Sequence, residues 1–559
     1  MELGRITTLV ILFSVLAINL PVAGQKSGSN FDILKVLKPA LKSINRENLL
    51  AHAKTLASDE FEGRAPGTVG ERLTTQYLAN QFREAGLRPG NPDGSFFQAV
   101  PLIGYKTTPQ IALTINGKSV PLKFLEDFIH DLPRLQKNVK VEVSDVVFAG
   151  YGIVAPQYGW DDYKDADVRN KLVLILSGEP SRPDATDAKK SDATFFRGDT
   201  RTYYSTRGSK YAQAAKRGAA GILVITDPEK ARTYAIFKTF APMEGMALKN
   251  VASSYWPAVA GFVTKKAVDR FAAQAGVDAS ELEKSAQNKD FKTISLKAKG
   301  IISISSKIRH FTSKNVVAKV EGSDPQLRNE YVIYSAHWDH LGKDTSLVGD
   351  QIYNGANDNA AGVAQMLEIA RGFAALKTRP RRSVLFIATT AEEKGFLGSR
   401  FYAQNPLYPI SNTVAAINLD AGNPYGLTKD LASSGFGNST IDDALIKAAE
   451  MQGRTFLKES LDGDGGYYFA SDQIEFAKVG IPAVFPWSGN EYLGKPADYG
   501  EKRWDEYGKN RYHQVTDEVM PDWDMTGAVE DARWMMIAGF LIADELKRPV
   551  WYPATEFRK

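Results

Sequence analysis

The stretch that most constrains the fold is an apolar run, Tyr331 to Ala336, that stops abruptly at His337, Asp339 and His340. A loop follows, and Gly355-Ala356-Asn357-Asp358-Asn359 opens a pattern in which Val363, Met366, Leu367, Ala370, Phe373 and Ala374 recur at helical spacing. The unit predicts a buried strand, a turn and a helix, with polar groups at the strand's carboxyl end. Open α/β sheets hold their ligands at that end. The texture then repeats. SVLFIATT runs into Ala391-Glu392-Glu393, and NTVAAINLDAG carries Asp420 at its end. A fourth apolar run follows Gly480, and TGAVEDARWMMIAGFLIADELK closes the chain with a helix. Strands alternating with helices predict an α/β fold with a mostly parallel central sheet and helices on both faces.

A chain of 559 residues is too long for one ordinary domain. Hydrophobic residues at 43% and charged residues at 24% are those of a globular protein. A net charge of +4 is small for this length and gives no argument for nucleic acid or an anionic membrane. Residues 1–24 predict a signal peptide: Arg5, then the mostly apolar Ile6 to Leu20, then Val22-Ala23-Gly24 for cleavage. The mature chain is expected to be exported, starting near Gln25, with no stable membrane insertion. There is no cysteine, so any metal must be held by Asp, Glu and the six histidines: His52, His130, His310, His337, His340 and His513.

Residues 25–45 predict a loosely ordered lead-in. ENLLAHAKTLAS reads as a helix, a turn-rich loop follows at Gly63, Pro66, Gly67 and Gly70, and Thr74 to Ala85 reads as a second helix. From about Thr107 the texture changes to short strands around an Asn-Gly turn, then NKLVLILSGEP, KYAQAAKRGAAGILVITDP and PAVAGFVTKKAVDRFAAQAG, each pairing an apolar strand with a turn or helix. Residues 107–300 therefore predict an inserted, smaller α/β domain. Residues 25–106 and 301–559 are expected to form the main one. The insert holds one histidine, His130, and no cluster of ligands.

Strand ends converge on one rim of a parallel sheet, so His337, Glu392, Glu393 and Asp420 can meet there, with Asp358 at its turn and His513 in a loop. Repeated carboxylates at apolar strand tips are costly unless paired or metal-bound. Two histidines with several carboxylates suit Zn²⁺ or another divalent metal. Two metals about 3.5–4 Å apart need a bridging carboxylate and together polarise a carbonyl and activate a water. His340 reads as a surface or internally satisfied histidine, and His52, His130 and His310 as structural.

The motifs SAHWDHLG, NGANDNAAG, AEEKGFLGS, INLDAG and YHQVTD, in this order, resemble those of the M28 family of di-zinc aminopeptidases. LASDEFEGRAPGTVGERLTTQYLANQF and SDQIEFAKVGIPAVF extend the resemblance, and the insert resembles a protease-associated (PA) domain. The resemblance implies two Zn²⁺ per chain, with other divalent metals as alternatives, and peptide or protein N-termini as substrate. His337 and Asp420 resemble the terminal ligands of one zinc, Glu393 and His513 those of the other, and Asp358 the bridging ligand. Glu392 resembles the general base, Asp339 the carboxylate that orients His337, and Tyr512 a phenol that steadies the oxyanion. Where many relatives read Ser-Asp-His, this chain reads Ser471-Asp472-Gln473, outside the ligand set.

Other amide chemistry on the same fold competes with this reading: carboxypeptidase, dipeptidase or glutaminyl cyclase. The complete bridging set argues against a single-zinc cyclase. Retention of all five ligands and the base argues against a receptor-like relative. No basic residues cluster with the motifs to clamp phosphate, as a di-metal phosphoesterase requires. The sequence sets neither the preferred N-terminal residue nor an oligomeric state.

Overall fold

The computed structural model of the chain describes residues 30–164, 166–229, 232–249, 256–458, 466–553 and 555–558. The expected signal peptide lies outside the described residues. The lead-in does not stay loose: α1 (Asn30–Ser43) is a helix that buries Leu37 and Ala40. Its amphipathic pattern is interrupted in sequence by Pro39, which hid it. Next, α2 (Arg46–Leu56) starts at Asn45, whose side chain accepts the Asn48 N–H, and α3 (Val69–Glu84) follows the turn-rich loop.

Of the expected short strands around the Asn-Gly turn, the first is the end of one long strand, β1 (Phe97–Ile115), and the second is short, Lys118–Leu122, paired antiparallel with it. Along most of β1, buried and exposed residues alternate, so one face packs and the other meets water. The insert builds its own six-stranded sheet. Its centre is β2 (Leu172–Leu176), β3 (Gly221–Thr226) and, beyond helix α4 (Arg232–Phe240), β4 (Val259–Thr264), all parallel. A second long strand, β5 (Ala298–Val320), pairs antiparallel with β1 along its length. Residues 107 and 300 thus both lie inside long strands that continue from one sheet region to the other.

The sheet then becomes parallel. Strands β6 (Tyr331–His337), β7 (Ser383–Thr389), β8 (Thr413–Asn418) and β9 (Ala483–Ser488) lie in the order β7-β6-β8-β9, with β5 antiparallel beside β7, in a sheet of twelve strands. Alternate residues of β6 serve two cores. Val332, Tyr334 and Ala336 pack with Leu37, Leu49, Met366 and Trp534 on one face. Tyr331 and Ile333 pack with Tyr402 and Phe476 on the other. The expected α/β architecture with helices on both faces is the one observed. Every residue of β6, β7 and β8 is buried, as a sheet covered on both sides requires. Among the described residues, no helix is long and apolar enough to cross a membrane.

Candidate metal centre

Parallel pairing aligns the ends of β6, β7 and β8, so the residues just beyond them share one rim. The loops carrying these groups are stitched together by side chains. Asn359 donates to the Leu419 carbonyl at 2.9 Å and accepts the Ala421 N–H at 3.0 Å, while Asn357 accepts the Gly422 N–H at 3.1 Å. The turn at Asp358 is thereby tied to the loop of Asp420. From below, Asp517 accepts the backbone N–H groups of Asn357 and Asp358 and the Tyr507 hydroxyl. Three residues at the rim hold positive φ without being glycine: Ala391 at 53°, Ala421 at 93° and His513 at 60°. Each such conformation costs on the order of 1–3 kcal/mol and must be held by its surroundings.

The predicted residues meet in two groups that share one carboxylate. In the first, His337 Nε2 lies 3.0 Å from Asp420 Oδ1 and 3.3 Å from Asp358 Oδ1, with Glu392 Oε2 at 3.9 Å. In the second, His513 Nε2 lies 3.0 Å from Asp358 Oδ2 and 3.2 Å from Glu393 Oε2. The two oxygens of Asp358 therefore face opposite groups. His337, Asp358 and Asp420 each offer a donor atom within 4.8 Å of the others, as do His340, Asp358 and Glu393. Asp339 accepts the Glu392 N–H at 3.0 Å. Its carboxylate is 3.9 Å from His337 Nδ1, which sits nearer its backbone carbonyl, at 3.1 Å. Tyr512 stacks on His513, ring centres 3.8 Å apart.

Of the two readings of His340, surface or internally satisfied, the structure excludes the first. His340 is fully buried, and neither ring nitrogen makes a hydrogen bond. Its neighbour is Glu393, with Nδ1 2.7 Å from Oε1. In sequence it lies inside SAHWDHLG, three residues after His337, which already had a role, and nothing local told the two apart. Arg64 also went unnoticed. This buried guanidinium donates to the carbonyls of Trp338, Leu56, Asn354 and Gly355 at 2.6–2.9 Å and so pins the loop after β6 to the one before Asp358. Its only signal was an arginine inside a glycine-rich turn. Asp472 is buried and accepts the Thr389 and Ser399 hydroxyls.

The electrostatics are those of a cation site. Burial disfavours a charged His513, but Glu393 and Asp358 outweigh it and raise the imidazole to about 10. His337 is likewise raised well above its usual range, against burial, by Asp420 and Glu392. Burial pushes Glu392 well above the usual carboxylate range, and Asp420 and Glu393 add to that against the pull of His337. Among the described residues, buried polar atoms here also lack a hydrogen bond: Asp339 Oδ2, His513 Nδ1, His340 Nε2, and the His340 Nδ1 and Glu393 Oε1 pair, which face each other at 2.7 Å. Oxygen and imidazole donors without thiolate, several of them unsatisfied, fit a hard or borderline divalent cation.

Residues 315–537 match Peptidase family M28, and His337, His340, Asp358, Glu392, Glu393, Asp420, Tyr512 and His513 all fall within the match. The chain is 30% identical over 169 residues to "Aminopeptidase NAALADL1" of Mus musculus, which is 26% of this chain and 21% of that protein. It is 39% identical over 106 residues to a "Probable zinc metalloprotease" of Pyrenophora teres f. teres, 19% of this chain and 22% of that protein. These alignments span about a fifth of the curated relatives' own length. The fold is shared with an aminopeptidase from Aneurinibacillus sp. strain AM-1, at a TM-score of 0.52 and 18% identity, over 92% of this chain and 98% of that one.

Proposed function

We propose that the chain is an exported metallopeptidase that removes N-terminal residues from peptides, using two zinc ions or a similar divalent pair. The observation that carries this reading is the split of Asp358, with Oδ1 3.3 Å from His337 and Oδ2 3.0 Å from His513. A carboxylate so placed is a bridge between two donor groups. His337 and Asp420 would hold one ion, His513 and Glu393 the other, and Asp358 both. When bound, such a pair supplies Lewis acidity toward the peptide carbonyl and a nucleophile at neutral pH.

The chain's own groups do the rest. Glu392 borders the first group without being its nearest donor. As base it takes the proton of the attacking water and returns it to the leaving amine nitrogen. Its backbone is held by Asp339. Burial and the surrounding carboxylates hold Tyr512 well above the usual phenol range, so it stays a hydroxyl donor suited to a developing oxyanion. The carboxylate-rich rim suits a free α-amine, and an N-acetylated substrate leaves that polarity unpaired. The names of the mouse relative and the Aneurinibacillus structure support the exopeptidase reading. The insert lies against the site through Phe240, whose ring is 5.1 Å from that of His513, and its proposed role is to limit substrate length.

Metal analysis of the purified protein, followed by chelation and paired assays of free and N-acetylated peptides, tests the proposal. Two equivalents of metal, loss of activity on chelation and preference for the free amine are the expected results. Full activity after exhaustive chelation rules out the metal mechanism. Equal turnover of both substrates rules out the aminopeptidase.

A further inference from the structure

We infer that His340 is a positioning residue of the second donor group, holding one oxygen of Glu393 so that the other faces His513 and Asp358. The inference rests on the proposed metal pair. Its geometry is a division of labour within one carboxylate. Glu393 Oε1 lies 2.7 Å from His340 Nδ1, and Glu393 Oε2 lies 3.2 Å from His513 Nε2. Both His340 and the Glu393 side chain are closed off from solvent, so no water stands in for either partner. Their contact lacks full hydrogen-bond alignment.

The backbone at Gly355 packs closely against one side of this ring. Gly355 sits at φ 56°, and a Cβ there would come within 2.5 Å of the His340 ring. Arg64 donates to the Gly355 carbonyl at 2.9 Å and fixes that glycine against the imidazole. A carboxylate that uses one oxygen on a cation leaves the other free to rotate in and chelate, or to swing the whole group away. An N–H fixed on that second oxygen removes both freedoms, and groups that orient ligands in this way are worth 10–100-fold in metal affinity. The first donor group is built differently. There the supporting contact of His337 is the carbonyl of Asp339, at 3.1 Å, and no second histidine is present.

The test uses the full-length chain, loaded with zinc, counted by mass spectrometry and titrated with a chelator of known affinity. Wild type is expected to hold two ions. His340→Ala is expected to weaken one site about 10–100-fold and leave the other unchanged. His340→Asn, which returns a donor near the Nδ1 position, is expected to recover most of that loss. Unchanged affinity in His340→Ala overturns the inference, as does His340→Asn falling as far as His340→Ala. Zinc-edge X-ray absorption on wild type needs no variant. Two imidazoles per chain are expected, and three would make His340 a ligand itself and overturn the positioning role. Wild-type protein that binds no zinc is a failure of the proposed function, and the inference falls with it.

Discussion

The insert and the metal centre both bury charged groups, and they treat them in opposite ways. In the insert, buried Lys210 donates to the carbonyls of Leu176 and Gly178 at 2.9 and 2.6 Å. Asp162 accepts the N–H groups of Tyr151, Ile153 and Trp160, and Glu179 accepts the backbone N–H and the hydroxyl of Thr202. Burial lowers Lys210 to about 7 and raises Glu179 to about 7, so this network exists for its hydrogen bonds as much as for its charge. At the rim, Asp339, His340, Glu393 and His513 each keep an atom without a hydrogen bond, and the carboxylates outnumber the histidines. A satisfied buried network specifies structure. An unsatisfied one in which carboxylates outnumber histidines is kept for something else to complete, and residues of this kind mark functional sites.

The largest expected effect tests the division of tasks within the rim. Glu392→Gln should keep both metals and the fold and lose about 10²–10⁴-fold in turnover, the range for a missing general base. Glu393→Gln should weaken one metal site as well. Metal content measured beside the rate decides: a metal lost in Glu392→Gln and two kept in Glu393→Gln reverses the assignments. Two fully active variants would mean that this rim is not the active site.

Stability should then separate the two regions. Lys210→Met leaves the buried carbonyls of Leu176 and Gly178 without their donor and should cost about 1–3 kcal/mol with metal content unchanged. Asp420→Asn removes one of the crowded carboxylates. It should reduce metal binding while stabilising the metal-free protein by about 0.5–2 kcal/mol, the usual exchange of function for stability. Urea unfolding of both variants in the presence of chelator gives the two numbers. Destabilisation of the metal-free form by Asp420→Asn would erase the contrast.

A comparable effect depends on pH. Burial lowers His130 to about 4 from its ordinary 6.5 and keeps the insert's histidine neutral, stacked on Phe124 at 5.5 Å. The unfolded chain therefore binds this proton more readily than the folded one. Stability from His130 is complete above pH 6.5 and is lost as pH falls toward 4, by about 3 kcal/mol in all for a shift of that size. Unfolding free energies at pH 7 and 4.5 should differ more in wild type than in His130→Gln. The same slope in both would show that His130 is not the group titrating.

How much of this was legible follows from how local each signal is. His337, Glu392, Glu393 and Asp420 announce themselves because an apolar strand of six or seven residues ends in a group that cannot stay buried alone. Asp358 stands at a turn into an apolar-striped helix. His513 sits in a polar loop with no such contrast, and only its resemblance to a motif singled it out. Arg64 left no pattern because its partners, Trp338 and Gly355, lie 274 and 291 residues away. His340 was only half legible for the same reason, since its partner Glu393 lies in the turn beyond another strand. The long strands β1 and β5 were read as short pieces because their exposed faces break the apolar run at every second residue.

The smallest effect concerns the seam between the two regions. Phe240, at the end of α4, packs on His513, and the ammonium of Lys394 lies 5.6 Å from the centre of its ring. Nearby, Glu244 and Arg309 form a paired contact with both bonds at 2.6 Å. That pair is partly exposed, so it holds the edge of the insert only weakly, by up to about 1 kcal/mol. Phe240 supplies apolar surface and no donor atom. Phe240→Ala should therefore leave both metals in place, and an aromatic contact worth about 0.5–1.5 kcal/mol limits the kinetic change to roughly two- to tenfold. The direction should depend on length: rates on long peptides should rise relative to those on dipeptides, because a wall over the cleft has been cut back. Specificity constants on a ladder of peptides, with metal content measured on the same samples, check this. An equal change at every length would remove the insert's role in selecting substrates. A lost metal would show that the insert helps to build the centre, and the separation between the two regions would no longer hold.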